Sequence, residues 1–326
     1  MEAISHRKLH VVSGSTNLAL AEAIVASLGI KLGETNIGRF ANGEIHCQFG
    51  ESVRGVDIFI LQSHGAFNGN SVNDSLMEQI LMVDAARRAS AQRITAVCPF
   101  FGYARQDRKA AGREPISAKL MSNLFNAAGA SRIISVDLHS GQIQGFFDGP
   151  WDHLTAMPIL CNYFDGLGDD LVVVSPDAGR VRVAERYAIA SGADLAIVYK
   201  RRSATQKNSV EARDVVGDVK GRTCVLIDDM IDTGGTIVAA AEQLIEHGAA
   251  RVCAAATHGV FSENAIEKLN NSVIEQIVVT DTLPLPPTKQ FEKLQVISVA
   301  PVIADAIGAV FGNTSVSDIF GGQNLS

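Results

Sequence analysis

Short apolar segments that alternate with helical patterns are the feature of this chain that most constrains its fold. Segments such as DIFILQS, LVVVSPD and TCVLIDD are apolar at both odd and even positions. A strand with one face in water alternates apolar and polar residues, whereas a strand buried on both faces does not. The pattern therefore predicts α/β domains with mainly parallel sheets flanked by helices.

Each predicted strand ends in a polar loop, and ligands of open α/β sheets bind beyond the carboxyl ends of the strands. The predicted strands are LHVVSG, DIFILQS, RITAVCPF, RIISVDLHS, LVVVSPD, DLAIVYK, TCVLIDD, RVCAAATHG, QIVVTDT and QVISVA. The alternation of predicted strands and helices is interrupted near residue 150, in FFDGPWDHLTAMP. We therefore expect two similar domains, residues 1–150 and 151–326, with the last helix packed on the first domain.

Three helices carry end signals in the sequence. Ser71 or Asn73 is a suitable cap for the helix in SVNDSLMEQILMVDAARRAS. Pro115 is predicted in the first turn of the helix in PISAKLMSNLFNAAGA, which Gly129 ends. Gly248 likewise ends the helix in GGTIVAAAEQLIEHGAA.

Composition excludes several classes of protein. With 28 basic and 35 acidic residues, the net charge is −7, which argues against a nucleic-acid or anionic-membrane binder. The five cysteines are scattered and show no CxxC spacing, so neither a disulfide framework nor a zinc site is expected. Signal-peptide and transmembrane patterns are absent from the sequence, and we expect a cytoplasmic protein.

The segment VLIDDMIDTGGTI joins a buried strand to a helix through acidic residues and a Gly pair. Such glycines let N–H groups approach an anion at a helix start, but carboxylates repel phosphate. A ligand with both a phosphate and sugar hydroxyls resolves the conflict, because Asp228 and Asp229 can accept hydrogen bonds from vicinal hydroxyls. Asp232 is assigned to loop N–H groups in an Asx turn. The rest of the predicted phosphate loop is Thr233, Gly234, Gly235 and Thr236.

Cations cluster in FFGYARQDRKAAGREPISAKL although the chain as a whole is acidic. Arg105, Arg108, Lys109 and Arg113 follow a predicted strand, and Gln106 could hydrogen-bond a base or a phosphate. Guanidinium groups suit polyphosphate oxygens. A charge run is also typical of a solvated face, so the spacing leaves both interpretations open.

Two predicted strands end in groups that bind divalent metals. His139 follows the strand in RIISVDLHS, and Asp177 follows LVVVSPD. One imidazole and one carboxylate form a sparse set, which Mg²⁺ tolerates when substrate phosphates and water complete its octahedron. A His at a strand end is also often only a hydrogen-bonded residue.

Two further segments have a local interpretation and a functional one. Lys200, Arg201 and Arg202 end the strand in DLAIVYK, and the polar stretch behind them predicts a mobile loop. These cations could neutralise a phosphoryl-transfer transition state, or they could form a solvated hairpin tip. Asn42 and Gly43, in RFANGEIHCQF, predict a tight turn between strands.

The chain resembles the phosphate-dependent bacterial class of the ribose-phosphate pyrophosphokinase family in motifs that keep the family's order along nearly its whole length. They are FANGEI, ESVRG, YARQDRK, REPISAKL, DLHSGQIQGFFD, VVSPDAG, YKRR and LIDDMIDTGGTI. The last motif alone also resembles the type I phosphoribosyltransferases. The resemblance implies two domains of the type I phosphoribosyltransferase-like fold. It also implies the Mg²⁺-dependent reaction of ATP with D-ribose 5-phosphate, which gives AMP and 5-phosphoribosyl 1-diphosphate for nucleotide, His and Trp biosynthesis.

The same resemblance implies roles for individual residues. Lys200 and Arg202 match the catalytic pair, and His139 and Asp177 match the Mg²⁺-site residues. The implied ATP-binding residues are Phe40, Asn42, Gly43, Glu44, Arg105, Gln106 and Asp107. The implied ribose 5-phosphate-binding residues are Arg202, Asp228, Asp229, Asp232, Thr233, Gly234, Gly235 and Thr236. Family members form homohexamers with inorganic phosphate and ADP as effectors, and the segment after Phe40 reaches a neighbouring subunit.

Two positions depart from the family pattern. Asn42 stands where many members have Asp, and Arg180 stands where many have a second Gly, which adds a cation beside the proposed Mg²⁺ site. Two alternatives to an active synthetase remain. A phosphoribosyltransferase would not need the ATP-site motifs of the first half, and a catalytically silent subunit should have lost metal or catalytic residues.

Overall fold

Two compact units make up the chain in a computed structural model, which describes residues 8–168, 170–201 and 212–320. The first unit comprises Met1–Thr155, Thr282–Pro284 and Ser298–Ser326. The second unit comprises Ala156–Asp281 and Leu285–Ile297. The chain therefore returns to the first unit for its last helix.

The first unit contains a parallel sheet and a separate hairpin. Its strands are β1 (Leu9–Ser13), β2 (Thr35–Arg39), β3 (Ile45–Phe49), β4 (Asp57–Leu61), β5 (Arg93–Cys98), β6 (Arg132–Val136) and β7 (Trp151–Leu154). The sheet has the order β1-β4-β5-β6-β7 and is parallel throughout. Strands β2 and β3 pair antiparallel with each other.

The second unit contains a larger sheet that is parallel except at one edge. Its strands are β8 (Leu171–Ser175), β9 (Asp194–Arg201), β10 (Ala212–Val216), β11 (Thr223–Ile231), β12 (Arg251–Gly259), β13 (Gln276–Thr280) and β14 (Leu294–Ile297). The order is β10-β9-β8-β11-β12-β13-β14, and only β9 and β10 pair antiparallel.

The order of the second sheet creates a topological switch point. From β8 the chain continues outward through β9 and β10, and it then returns to β11, on the other side of β8, before continuing to β12. Connections from neighbouring strands that leave in opposite directions open a crevice at the carboxyl ends of these strands. The ends of β8 and β11 are therefore where a ligand of this unit is expected.

Helices flank the strands in both units. They are α1 (Leu18–Leu28), α2 (Val72–Arg88), α3 (Ser117–Ala128), α4 (Met157–Phe164), α5 (Val181–Ser191), α6 (Gly235–Glu246), α7 (Ala265–Asn270) and α8 (Ala300–Gly312). Every residue of β4 and of β8 is buried, as expected for strands covered on both faces. All the strands predicted from apolar segments are present, and the predicted fold class is confirmed.

The predicted helix ends are correct with one exception. Ser71 caps α2 by accepting from the Asp74 N–H, and Gly129 ends α3 with φ 111°. Gly248, with φ 89°, follows the last residues of α6. The prediction for Pro115 is wrong, because Ile116 has ψ 83°, outside the helical region, and α3 begins only at Ser117. Within the described ranges, no helix has the length and hydropathy needed to cross a membrane.

Candidate active site

Strand β11 carries the two acidic side chains of the VLIDD segment at its carboxyl end. It lies between β8 and β12, and Asp228 is in register with Ala256 of β12. The Asp229 N–H donates to Asp228 Oδ1 at 2.8 Å. These carboxylates are therefore held by the sheet, at the switch point.

Arg180, at the start of α5, forms ion pairs with both carboxylates. Its Nε atom lies 3.2 Å from Asp228 Oδ1, and its Nη2 atom lies 2.6 Å from Asp229 Oδ1. The sequence indicated only a cation beside the proposed metal site. The structure directs the guanidinium at the acidic pair of β11, and this contact had not been predicted.

Burial and the neighbouring carboxylate change the acidity of Asp228. Loss of solvent, followed by the hydrogen bond and the charge of Asp229, raises the pKa of Asp228 to about 8, and the charge of Arg180 opposes this rise. Asp228 therefore binds a proton far more readily than an exposed carboxyl group does.

The predicted phosphate loop lies between β11 and α6. Gly234 is the N-cap of α6 and has φ 74°, a conformation that favours Gly. A Cβ atom at this position would meet Leu269 Cγ at 3.3 Å. The helix begins at Gly235, so the first N–H groups lack intrahelical partners and the helix dipole favours an anion. The loop thus has the donors that a phosphate requires.

Two lysines from later elements lie near this loop and were missed by the sequence analysis. Lys268 of α7 donates from Nζ to the carbonyl oxygen of Thr233 at 3.5 Å. Lys289 donates to the carbonyl oxygen of Val260 at 2.6 Å. Burial lowers the pKa of Lys289, and the charge of Asp232 opposes this effect. No motif spacing connects these lysines to the loop, so the sequence carries no signal for them.

Asp177 closes the connection between β8 and α5. Its Oδ1 atom accepts from the N–H groups of Gly179 at 2.8 Å and of Arg180 at 3.2 Å. The Ser175 hydroxyl donates to the Asp177 carbonyl oxygen at 2.6 Å. These bonds fix the Asp177 carboxylate at the carboxyl end of β8, shortly before Arg180 in the chain.

The catalytic pair implied by the family lies at the edge of the described region. Lys200 is on β9, where it pairs in register with Arg213 of β10. Arg202 and the following residues up to 211 lie outside the described residues. The end of the predicted loop, Ala212–Val216, is instead strand β10, so the prediction is wrong there.

In the first unit, the residues implied for ATP form the turn of the β2–β3 hairpin, and the predicted tight turn is confirmed. The Phe40 N–H donates to the Glu44 carbonyl oxygen at 2.9 Å, and the Gly43 N–H donates to that of Phe40 at 2.8 Å. Asn42 Oδ1 accepts from the Glu44 N–H at 3.2 Å, so an uncharged side chain supports the turn. Phe40 is 57% exposed, which leaves its ring accessible.

The other implied ATP residues lie in the connection between β5 and α3. The Gln106 carbonyl oxygen accepts from the Ala118 N–H at 3.2 Å, and Gln106 Oε1 accepts from the Ser117 hydroxyl at 2.6 Å. Arg105 and Gln106 are exposed, and Asp107 is half-buried. Gln106 therefore anchors the segment to the start of α3 while Arg105 faces solvent.

The two implied metal ligands belong to different units. His139 follows β6 in the first unit and is half-buried, whereas Asp177 is in the second. Among the described residues, no cluster of three or more His, Cys, Asp or Glu side chains could hold a metal. An imidazole and a carboxylate are donors that Mg²⁺ accepts when substrate oxygens and water complete its coordination.

Comparison with known proteins decides the family. One family model, the N-terminal domain of ribose phosphate pyrophosphokinase, matches residues 9–129, and another, the phosphoribosyl synthetase-associated domain, matches residues 172–321. Ribose-phosphate pyrophosphokinase from Streptomyces avermitilis is 52% identical over 319 residues, 97% of each chain. The protein of that name from Bifidobacterium longum is 50% identical over 98% of this chain and 94% of its own. The chain belongs to the ribose-phosphate pyrophosphokinase family.

A solved structure of the family agrees with this fold. Phosphoribosylpyrophosphate synthetase from Mycobacterium smegmatis matches with a TM-score of 0.88 and 50% identity, over 94% of this chain and 100% of that one. The resemblance stated from the sequence motifs is thus confirmed. Within this ribose-phosphate pyrophosphokinase fold, the second unit brings Asp177, Arg180 and the β11 pair to one switch point. The implied ATP residues of the first unit lie in two separate segments, residues 40–44 and 105–107.

Proposed function

We propose that the chain transfers the β,γ-diphosphoryl group of ATP to the 1-hydroxyl of D-ribose 5-phosphate, giving AMP and 5-phosphoribosyl 1-diphosphate. The observation that carries this proposal is the acidic pair of β11 beside the start of α6, at the switch point of the second sheet. One sugar phosphate satisfies both features. Full-length relatives at half identity bear the name of this activity.

Ribose 5-phosphate would bind at the switch point, with its hydroxyls and its phosphate bound by different residues. Asp228 and Asp229 accept hydrogen bonds from the ribose hydroxyls. The 5-phosphate accepts hydrogen bonds from the N–H groups at the start of α6, and the positive charge of Lys268 lies close enough to stabilise it. The residues assigned to the phosphate are Asp232, which orders the loop, with Thr233, Gly234, Gly235 and Thr236.

ATP would bind to segments of the first unit. Arg105 and Gln106 supply a cation and an amide for the nucleotide, and Asp107 follows them in the same connection. The hairpin turn would contact the adenine of an ATP molecule bound to a neighbouring subunit. Its residues are Phe40, Asn42, Gly43 and Glu44. The exposed ring of Phe40 suits this role, because a purine stacks on an aromatic face.

The reaction itself requires positioning and charge neutralisation. The anomeric hydroxyl oxygen forms a bond to the β-phosphorus of ATP, while the bond from that phosphorus to the α–β bridging oxygen breaks. The electron pair of that bond leaves with AMP, and the hydroxyl loses its proton. Lys200 and Arg202 neutralise the charge that develops on the transferred group, so no protein nucleophile is needed.

Mg²⁺ would be held by His139 and Asp177. When bound, the ion neutralises the phosphates of ATP and orients them. Asp177 Oδ1 already accepts two backbone hydrogen bonds, so this residue would hold the ion from a fixed position. We further propose a cytoplasmic homohexamer with inorganic phosphate and ADP as effectors, as in the family.

An assay for AMP formed from ATP and ribose 5-phosphate, with Mg²⁺ and phosphate present, tests the proposal. We expect AMP to form only when both substrates are present. Diphosphate release that depends on a nucleobase and needs no ATP would instead identify a phosphoribosyltransferase. Failure to form AMP would refute the proposal and favour a catalytically silent subunit.

A further inference from the structure

Arg180 forms ion pairs with both members of the acidic pair that the proposed function assigns to the ribose hydroxyls. The guanidinium bridges Asp228 and Asp229 through their Oδ1 atoms, and the three side chains are only 14%, 18% and 7% exposed. Buried charges of this kind are retained in proteins when they are paired and hydrogen-bonded. The three groups therefore form one unit whose charge balance depends on Arg180.

The chemistry of the acidic pair shows why the sugar would depend on this balance. Two adjacent buried carboxylates repel each other, and burial disfavours the charged form of each. An ionised carboxylate only accepts hydrogen bonds, whereas a protonated one also donates and has lost acceptor capacity. Ribose hydroxyls bind best to two oriented acceptors, and this state requires a cation nearby.

We propose that Arg180 is a positioning residue, the internal counter-ion that orients Asp228 and Asp229 and favours their ionised form for the ribose hydroxyls. The inference rests on the proposed function of that pair. It adds that this chain supplies the neutralising charge from one of its own side chains, at the start of α5.

Substitution at this position is a clean experiment. Arg180 has φ −104°, which Ala adopts without strain, and it precedes α5 rather than lying inside it. Arg182, in the first turn of the same helix, is exposed and offers a matched control with the same charge. Arg180→Lys keeps the charge but not the planar fork, so it tests neutralisation separately from geometry.

The test is the affinity for ribose 5-phosphate, measured by calorimetry in EDTA without ATP, at mildly alkaline pH. EDTA removes divalent metal ions, so none of them can replace the guanidinium. We expect wild type to bind, Arg180→Ala to bind at least about tenfold more weakly, and Arg180→Lys to recover part of the loss. Arg182→Ala should bind as wild type does. Added Mg²⁺ should restore binding to Arg180→Ala more than to wild type.

Several outcomes would overturn the inference. They are unchanged or tighter binding by a folded Arg180→Ala variant, an equal loss in Arg182→Ala, or no binding by wild type in EDTA. Thermal unfolding checks that each variant is folded, and Arg180→Gln, which keeps a long polar side chain without the charge, serves if Ala does not fold. AMP formation by wild type is scored separately. Without it the proposed function fails, whereas AMP formation together with unchanged Arg180→Ala affinity refutes only the role of Arg180.

Discussion

In the second unit Asp177, Arg180 and the β11 pair meet at one switch point, whereas the implied ATP residues of the first unit occupy two separate segments. The order of the sheets explains the difference. In the second sheet the chain adds strands on one side of β8 and then on the other side, beginning with β11. The described strands of the first sheet are instead added in a single direction. A crevice with residues from two strand ends therefore forms in the second unit, while the first unit offers a hairpin turn and a strand–helix connection.

The two arrangements also differ in how their charges are held. Asp228, Asp229 and Arg180 are largely buried and depend on one another, so removal of one group changes the others. The turn at Asn42 and the connection at Gln106 are instead held by local hydrogen bonds that these two exposed side chains accept. We therefore expect a substitution in the second unit to disturb the neighbouring charged groups as well. A substitution in the first unit should affect only the segment that contains it.

The largest expected effect separates catalysis in the second unit from nucleotide binding in the first. Lys200→Ala should lower kcat by about 10³-fold or more, because the cation proposed to neutralise the transferring group is lost, while ATP binding stays measurable. Rates of AMP formation and equilibrium binding of ATP check the two parts. Lys220→Ala, an exposed lysine of the same unit, should retain wild-type rates. Unchanged turnover in Lys200→Ala would refute its role.

A smaller loss is expected when the acidic pair loses one charge. Asp229→Asn keeps the shape of the side chain but weakens its hydrogen bonds, so KM for ribose 5-phosphate should rise about tenfold to hundredfold. KM for ATP should stay within about twofold, because the nucleotide is assigned to the first unit. Asp218→Asn, at an exposed site, is the control. An equal rise in KM for ATP would break the proposed division between the units.

Apolar runs made the sheets predictable, and their interruption explains what was missed. The buried strands β4 and β8 are continuous apolar segments, which only a doubly covered sheet accommodates. Strand β7 has Asp152 and His153 as its middle residues, both half-buried, so its four residues form no apolar run. It was missed for that reason.

The candidate site was predictable where one segment carries the chemistry. The acidic pair and the loop behind it could be assigned from VLIDDMIDTGGTI alone. The partners of that segment could not, because Arg180 follows a different strand and Lys268 comes from a later helix. Only the order of the strands brings β8 and β11 side by side, and that order is a property of the whole sheet.

Acidity offers a further way to distinguish the two units. Because the pKa of Asp228 is raised to about 8, this carboxyl gains acceptor capacity as the pH rises through that value. Affinity for ribose 5-phosphate should therefore increase between pH 7 and 9, by up to about tenfold, a range in which a sugar phosphate is already dianionic (second pKa about 6). Titration calorimetry across this range checks the prediction. The increase should be smaller in Asp229→Asn, because burial still raises the pKa of Asp228 but the charge of Asp229 no longer adds to the rise. A flat profile in wild type would contradict the assignment.

The smallest effects are expected from a matched pair of glycines, one in each unit. Gly234 and Gly43 both have positive φ, but a Cβ atom would meet Leu269 at 3.3 Å in the first case and nothing within 4 Å in the second. The backbone strain of Ala costs about 1–2 kcal/mol at either position, and crowding adds about 1–3 kcal/mol at Gly234. The denaturant midpoint should therefore fall further in Gly234→Ala than in Gly43→Ala, and Gly38→Ala, which has neither strain nor crowding, should match wild type. Gly234→Ala should raise KM for ribose 5-phosphate and Gly43→Ala KM for ATP, each by a few-fold. Equal losses of stability at both glycines would show that the two loops are held alike.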